Sequence, residues 1–197
     1  MTVVRRFGML LPLAALGLTG CGVNSVPTAE EKVNKEFADL QADYQRRNDL
    51  IPNLVEVVKG YAKQERDVLI QVTEARAGAN SVQLTPADLS DPAKVQAYND
   101  AQSRVSAALV PFRQLQEAYP DLKSNDNFKM LQDQVEGSEN RINTSRQDYN
   151  TAVQEYNTTI RTFPDAIGAK IFYGAKPKVP FQASAGAQEA PKINMSN

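Results

Sequence analysis

Histidine and tryptophan are absent from the 197 residues, and cysteine occurs once. Without imidazole there is no Ser-His-Asp or Cys-His nucleophile system, and no His-ligated zinc, haem or di-iron site. A single thiol excludes an internal disulfide and a paired CxxC metal or redox site. Charge of one sign is also lacking: 22 Lys+Arg stand against 23 Asp+Glu, for a formal net charge of −1. No basic surplus grips a phosphate backbone, so nucleic acid is not an expected partner. Long apolar runs are few. The longest, Phe7 to Leu18, falls short of the about 20 residues that a bilayer-spanning helix needs. What survives is one domain of ordinary size whose only acid–base chemistry would come from Asp, Glu, Lys or Tyr.

The apolar run follows Arg5 and Arg6, the layout of a signal peptide with a positive n-region and a short apolar h-region. Its end is more specific. Leu18-Thr19-Gly20-Cys21 resembles the bacterial lipobox, in which small residues fit the peptidase groove and the Cys thiol receives a diacylglycerol. The plainer alternative is an ordinary signal peptide with an incidental Cys nearby, but the chain's one Cys falls at the one position the lipobox requires. The expectation is that residues 1–20 are a lipoprotein signal peptide and that Cys21 is the acylated first residue of the mature chain. Membrane lipid is then its first partner. Each buried methylene contributes about 0.8 kcal/mol, so two or three acyl chains anchor stably. Gly22, rather than an aspartate, follows Cys21. By resemblance to Gram-negative sorting rules, that points to the outer membrane, facing the periplasm.

Residues 21–27 read as a tether, and Thr28-Ala29-Glu30-Glu31 has the form of a capping box. From there a 4-3-4-3 spacing through Val33, Phe37, Leu40, Tyr44, Arg47, Ile51, Leu54, Val58 and on to Ala79 predicts helix. Residues 80–92 read as a connection ending in Asp91-Pro92, an N-cap followed by proline at the first helical position. A second helix over about 91–118 carries Pro111, which should kink it, and Tyr119-Pro120-Asp121 should end it. The cluster Ser124-Asn125-Asp126 offers caps for a third stretch that keeps heptad spacing to Pro164. A short helix is expected at 165–172. From residue 173 to 197 the chain is rich in Pro, Gly, Ala and Ser and reads as an extended flexible tail.

An unbroken helix over 28–79 would be about 78 Å long, against about 42 Å for 91–118 and about 57 Å for 125–162. A break near Asn48-Asp49-Leu50-Ile51-Pro52 gives four segments of comparable length, as an up-and-down bundle needs. The heptad phase runs straight through this point, however, and proline can kink a helix without ending it. Length decides for the break. The expected fold is all-α: an antiparallel up-and-down four-helix bundle of long helices over residues 28–172, with a proline-marked break or kink near residue 52.

Several ordered motifs resemble the LemA family. They are Arg46-Arg47-Asn48-Asp49-Leu50-Ile51-Pro52-Asn53-Leu54-Val55-Glu56, Val58-Lys59-Gly60-Tyr61-Ala62, Ala118-Tyr119-Pro120-Asp121-Leu122-Lys123, Glu139-Asn140-Arg141-Ile142, and Tyr149-Asn150 through Tyr156-Asn157 to Phe163-Pro164. Phe181 also matches a Phe near the family's end. The likeness covers roughly residues 33–183. It implies an all-helical antiparallel bundle held at a membrane and facing away from the cytoplasm, with no catalytic motif to carry over. This chain departs from the usual family form in having a lipobox where a transmembrane helix is more common.

Candidate chemistry is sparse. Glu136 and Glu139 share a helical face, but without His they make no ferritin-like site and read as a solvated face. Asp88, Asp91 and Asp126 are too scattered for a calcium loop and read as caps. No metal or cofactor is expected. Six tyrosines (44, 61, 98, 119, 149, 156) lie on or beside the predicted seams and read as core. Arg47 and Glu65 interrupt apolar stripes. Each is expected to keep its head in water, with a buried register-fixing pair as the sharper alternative. A partner surface is expected at Arg46, Asn48, Asp49 and Asn53, where a proline-broken helix would expose backbone carbonyls; the plainer reading is that these residues only turn the chain. Two function classes remain. One is a lipid-tethered, non-enzymatic module that binds envelope proteins. The other is an envelope enzyme using Asp, Glu, Lys or Tyr in a pocket lined by convergent carboxylates.

Overall fold

The computed structural model describes residues 3–62 and 64–182, with side chains from residue 24 onward. Among the described residues every regular element is helical. They are α1 (Val3–Tyr61), α2 (Arg66–Ser81), a 3-10 turn (Pro86–Ser90), α3 (Pro92–Ala118), α4 (Pro120–Ser124), α5 (Asp126–Thr159), α6 (Asp165–Gly168) and a π-helical turn (Ala169–Tyr173). The all-α expectation holds. The chain divides into two compact units, whose described parts are residues 3–40 with 145–180, and residues 41–144 with 181–182. Helices α1 and α5 contribute to both.

In the second unit, four helices send apolar side chains into one core. Ile51, Leu54 and Val58 come from α1, Leu69 and Val72 from α2, Val105, Leu109 and Phe112 from α3, and Phe128, Leu131 and Val135 from α5. Apart from Leu69, which is buried where the spacing places Val68, these are the 4-3 positions of each stretch, so the periodicity located most of the buried faces. Several boundaries also follow local chemistry. The Asp91 side chain accepts from the amides of Ala93 and Lys94, with Pro92 in the first turn of α3. That satisfies donors that have no partner inside the helix. Asn125 caps α5 by accepting from the Phe128 amide at 2.9 Å. Helix α3 runs through Pro111 and ends at Ala118, before Tyr119-Pro120.

Three expectations are corrected. Residues 24–27, assigned to the tether, belong to α1. Val26 lies one heptad before Val33 and is buried like it. The Thr28 hydroxyl accordingly donates back to the Asn24 carbonyl at 2.7 Å instead of starting a capping box. Second, α1 is not broken at Pro52. It continues to Tyr61, and the interruption comes at residues 62–65. Proline has no N–H, so it leaves the carbonyl four residues earlier, that of Asn48, without its ladder donor. Arg76 of α2 supplies the replacement, its Nε donating to the Asn48 carbonyl at 2.8 Å. Third, residues 174–182 of the tail, expected to be flexible, form no regular element but are fastened. Lys178 and Phe181 are buried, and the Tyr149 hydroxyl donates to the Val179 carbonyl at 2.9 Å. Residues 183–197 lie outside the described residues.

In the first unit, Phe37 and Tyr149 meet with ring centroids 5.9 Å apart, and Val33, Leu40, Ala152, Val153 and Tyr156 are buried. Lys178 pairs with Glu30 at 2.8 Å and lies 5.7 Å from the Tyr156 ring centroid. Gly174, at φ +53°, lets the chain leave the π-helical turn. There the amides of both Gly174 and Ala175 donate to the Ala169 carbonyl, the latter at 3.0 Å, which closes the turn.

Candidate functional site

The most highly organised polar group among the described residues is centred on Arg47, whose side chain has no solvent exposure. Its position on the α1 seam aims it at α3 and α5. Nη1 donates to Ser106 Oγ at 2.9 Å and to Glu139 Oε1 at 3.1 Å, while Nη2 donates to Gln102 Oε1 at 2.8 Å and to the Gln102 carbonyl at 3.3 Å. The Ser106 hydroxyl in turn donates to Glu139 Oε2 at 3.1 Å. The guanidinium carbon also lies 5.3 Å from the Tyr44 ring centroid. The expected water-exposed head of Arg47 is thus corrected to the alternative, a buried pair. Four acceptor contacts compensate for the lost hydration of Nη1 and Nη2, while the buried Nε has no hydrogen-bond partner.

Tyr44 extends the cluster into an aromatic row. It meets Tyr98 edge-on at 5.8 Å, and Tyr98 lies 6.1 Å from Phe181 of the tail. Burial, reinforced by Tyr44, pushes the Tyr98 phenol up to about 12. Four of the six seam tyrosines (44, 98, 149, 156) are buried as expected; Tyr61 is exposed and its hydroxyl accepts from Asn125 at 2.8 Å. Glu65 lies on no stripe. It belongs to the connection between α1 and α2, where it accepts from the Tyr119 hydroxyl at 2.9 Å.

The expected partner surface divides. Arg46, Asp49 and Asn53 are exposed on α1, at spacings of three and four that place them on one face. Asn48 is buried. Its amide nitrogen donates to Asn80 Oδ1 at 3.1 Å, and its carbonyl is the one that Arg76 holds. Cys21 lies outside the described side chains. Glu136 is exposed as expected, whereas Glu139 turns inward to Arg47. Gln102, Ser106 and Arg76 were not singled out from the sequence. A signal existed for Gln102, since it continues the seam through Tyr98, Val105 and Leu109, where a polar residue is conspicuous.

Chemically, the Arg47 group joins three helices, and its Nη1 and Nη2, the Ser106 hydroxyl and both Glu139 oxygens are engaged within it. No group of three side chains able to hold a metal ion occurs among the described residues. A surface groove of about 620 Å³ beside α2, floored by Val55, Leu69 and Ile70, has Glu74 as its one carboxylate. No helix among the described residues is long and apolar enough to cross a membrane. No curated protein matches this sequence. The LemA family model matches residues 36–195, most of the chain, and takes in the Arg47 cluster together with the helices that build it; the chain belongs to the LemA family.

Proposed function

We propose that this protein is a lipid-anchored scaffold of the cell envelope, acylated at Cys21 after loss of residues 1–20, that binds envelope proteins rather than turning over a substrate. Its helices form an antiparallel up-and-down four-helix bundle, presenting a fixed outer surface that includes Arg46, Asp49 and Asn53. In a Gram-negative cell it faces the periplasm from the outer membrane. The observation that carries this reading is Leu18-Thr19-Gly20-Cys21 at the end of the apolar run. The Arg47 group supports it in a different way. A buried polar cluster that ties α1, α3 and α5 fixes helix register, and a surface that partners recognise needs fixed register.

The test has two parts. Intact mass of the natively purified protein is expected to show a chain beginning at Cys21 and carrying acyl chains. A soluble form, with Cys21→Ser and an ordinary cleavage site, is expected to keep its helicity but fail to restore a deletion strain. Tethering raises the effective concentration near envelope partners far above that of a free protein. Full rescue at equal abundance would instead favour an enzyme acting on a diffusible substrate.

A further inference from the structure

The end of the first unit reverses the usual distribution of apolar side chains. In α6 and the π-helical turn the small residues Gly168 and Ala169 are buried, while the large ones face solvent. Ile167 is 52% exposed, Ile171 69%, Phe172 69% and the preceding Phe163 79%. Four large apolar side chains exposed within ten residues are a concentration and not scatter. A concentration of this kind marks a surface that something covers.

Two observations identify what covers it. Over residues 161–176 the exposed cations Arg161, Lys170 and Lys176 flank the apolar residues along the chain, against the single carboxylate of Asp165, in a chain whose overall formal charge is −1. Asp165 is moreover engaged internally, accepting from the Ser25 hydroxyl at 2.8 Å. That bond places the patch beside residue 25, four residues after Cys21. Four residues span at most about 14 Å even when fully extended. An acyl group on Cys21 therefore keeps the start of α6 within headgroup reach of the bilayer. Exposed apolar side chains flanked by cations are the composition that enters an anionic interface.

We propose that residues 163–173 form a membrane-contact surface that lies in the headgroup region of an anionic phospholipid bilayer. Ile167, Ile171 and Phe172 enter the acyl boundary, and Lys170 and Lys176 pair with lipid phosphates. The proposal rests on the lipid-anchor reading for its geometry. It adds a second point of attachment to the acyl anchor and so orients the first unit on the membrane.

The chain has no tryptophan, so Phe172→Trp provides a single emitting indole at the patch. The mature protein carrying this substitution is added to vesicles of phosphatidylethanolamine and phosphatidylglycerol. The expected result is a blue-shifted emission, quenched by brominated acyl chains, that weakens at high salt. Adding Ile167→Ser and Ile171→Ser should abolish most of the quenching while leaving helicity intact, because both side chains are already exposed. If the acylated protein sediments with vesicles but its indole stays in water, the contact surface is refuted and the anchor stands. If mass analysis finds no acyl group and the indole is still quenched, the anchor reading fails and the surface stands. A blue shift that appears without vesicles and grows with protein concentration would mean that a second copy covers the patch, which also refutes the proposal.

Discussion

Replacing Arg47 by Met keeps the aliphatic stem and removes the guanidinium. Gln102, itself 4% exposed, then loses its donor, and Glu139 and Ser106 lose theirs. Stranding one partner of a buried ion pair costs about 3–5 kcal/mol. The Glu139 side chain retains 18% exposure, so water recovers part of its hydration. The low end, about 3 kcal/mol, is the expected loss. With a urea dependence of about 2 kcal/mol per molar, the unfolding midpoint falls by roughly 1.5 M. Helical ellipticity followed through a urea titration measures it. The companion variant Arg47→Met/Glu139→Leu removes the stranded charge and should recover more than half of the loss, giving a coupling energy above about 1 kcal/mol. A single variant within about 0.5 kcal/mol of the parent, or strict additivity in the double, would refute the account of Arg47 as a paired buried charge.

The Pro52 repair predicts a second coupling. Arg76→Met should destabilise by about 1–3 kcal/mol, because the Asn48 carbonyl loses its donor. In a Pro52→Ala background the same change should cost much less, since the restored amide serves that carbonyl; urea titration of the four proteins reads this directly. Stability should also fall as pH rises from about 10 to about 12. An unfolded tyrosine ionises near 10, while Tyr98 is pushed up to about 12, so the unfolded state releases its proton first over that interval. At about 1.4 kcal/mol per unit Tyr98 accounts for about 3 kcal/mol of that loss; burial raises Tyr149 and Tyr156 as well, so Tyr98→Phe should lessen the slope by its own share without removing it.

Local rules were legible wherever local chemistry decides. Helix faces followed from spacing, and Asp91-Pro92, Asn125 and Tyr119-Pro120 marked boundaries because caps and prolines act on their own backbone. The tyrosine seams were readable for the same reason. Illegible were features whose cause lies far along the chain. Pro52 reads as a break until Arg76, from another helix, takes the carbonyl that it frees. Arg47 reads as a solvated seam charge until Gln102, Ser106 and Glu139 arrive from 55, 59 and 92 residues away. Among the expected partner residues, Asn48 is internal for the same reason, its side chain meeting Asn80. The spacing placed Phe163 on the buried seam of the third stretch, yet α5 ends at Thr159 and Phe163 faces solvent; the rest of the exposed patch showed in the sequence only as a short apolar helix, since composition does not say which face turns outward.

Asn157 has a consequence of its own. Its side-chain carbonyl accepts from the Lys178 amide, and its amide nitrogen donates to the Lys178 carbonyl, both at 2.8 Å. One carboxamide thus serves both backbone groups of a residue outside any helix, as a neighbouring strand would. An extended segment with unpaired backbone groups is a template for edge-to-edge pairing with other chains. At Lys178 that pairing is pre-empted without a sheet, by a helix surface offering one donor and one acceptor at the right separation. The backbone of that residue is therefore closed to a strand from another chain.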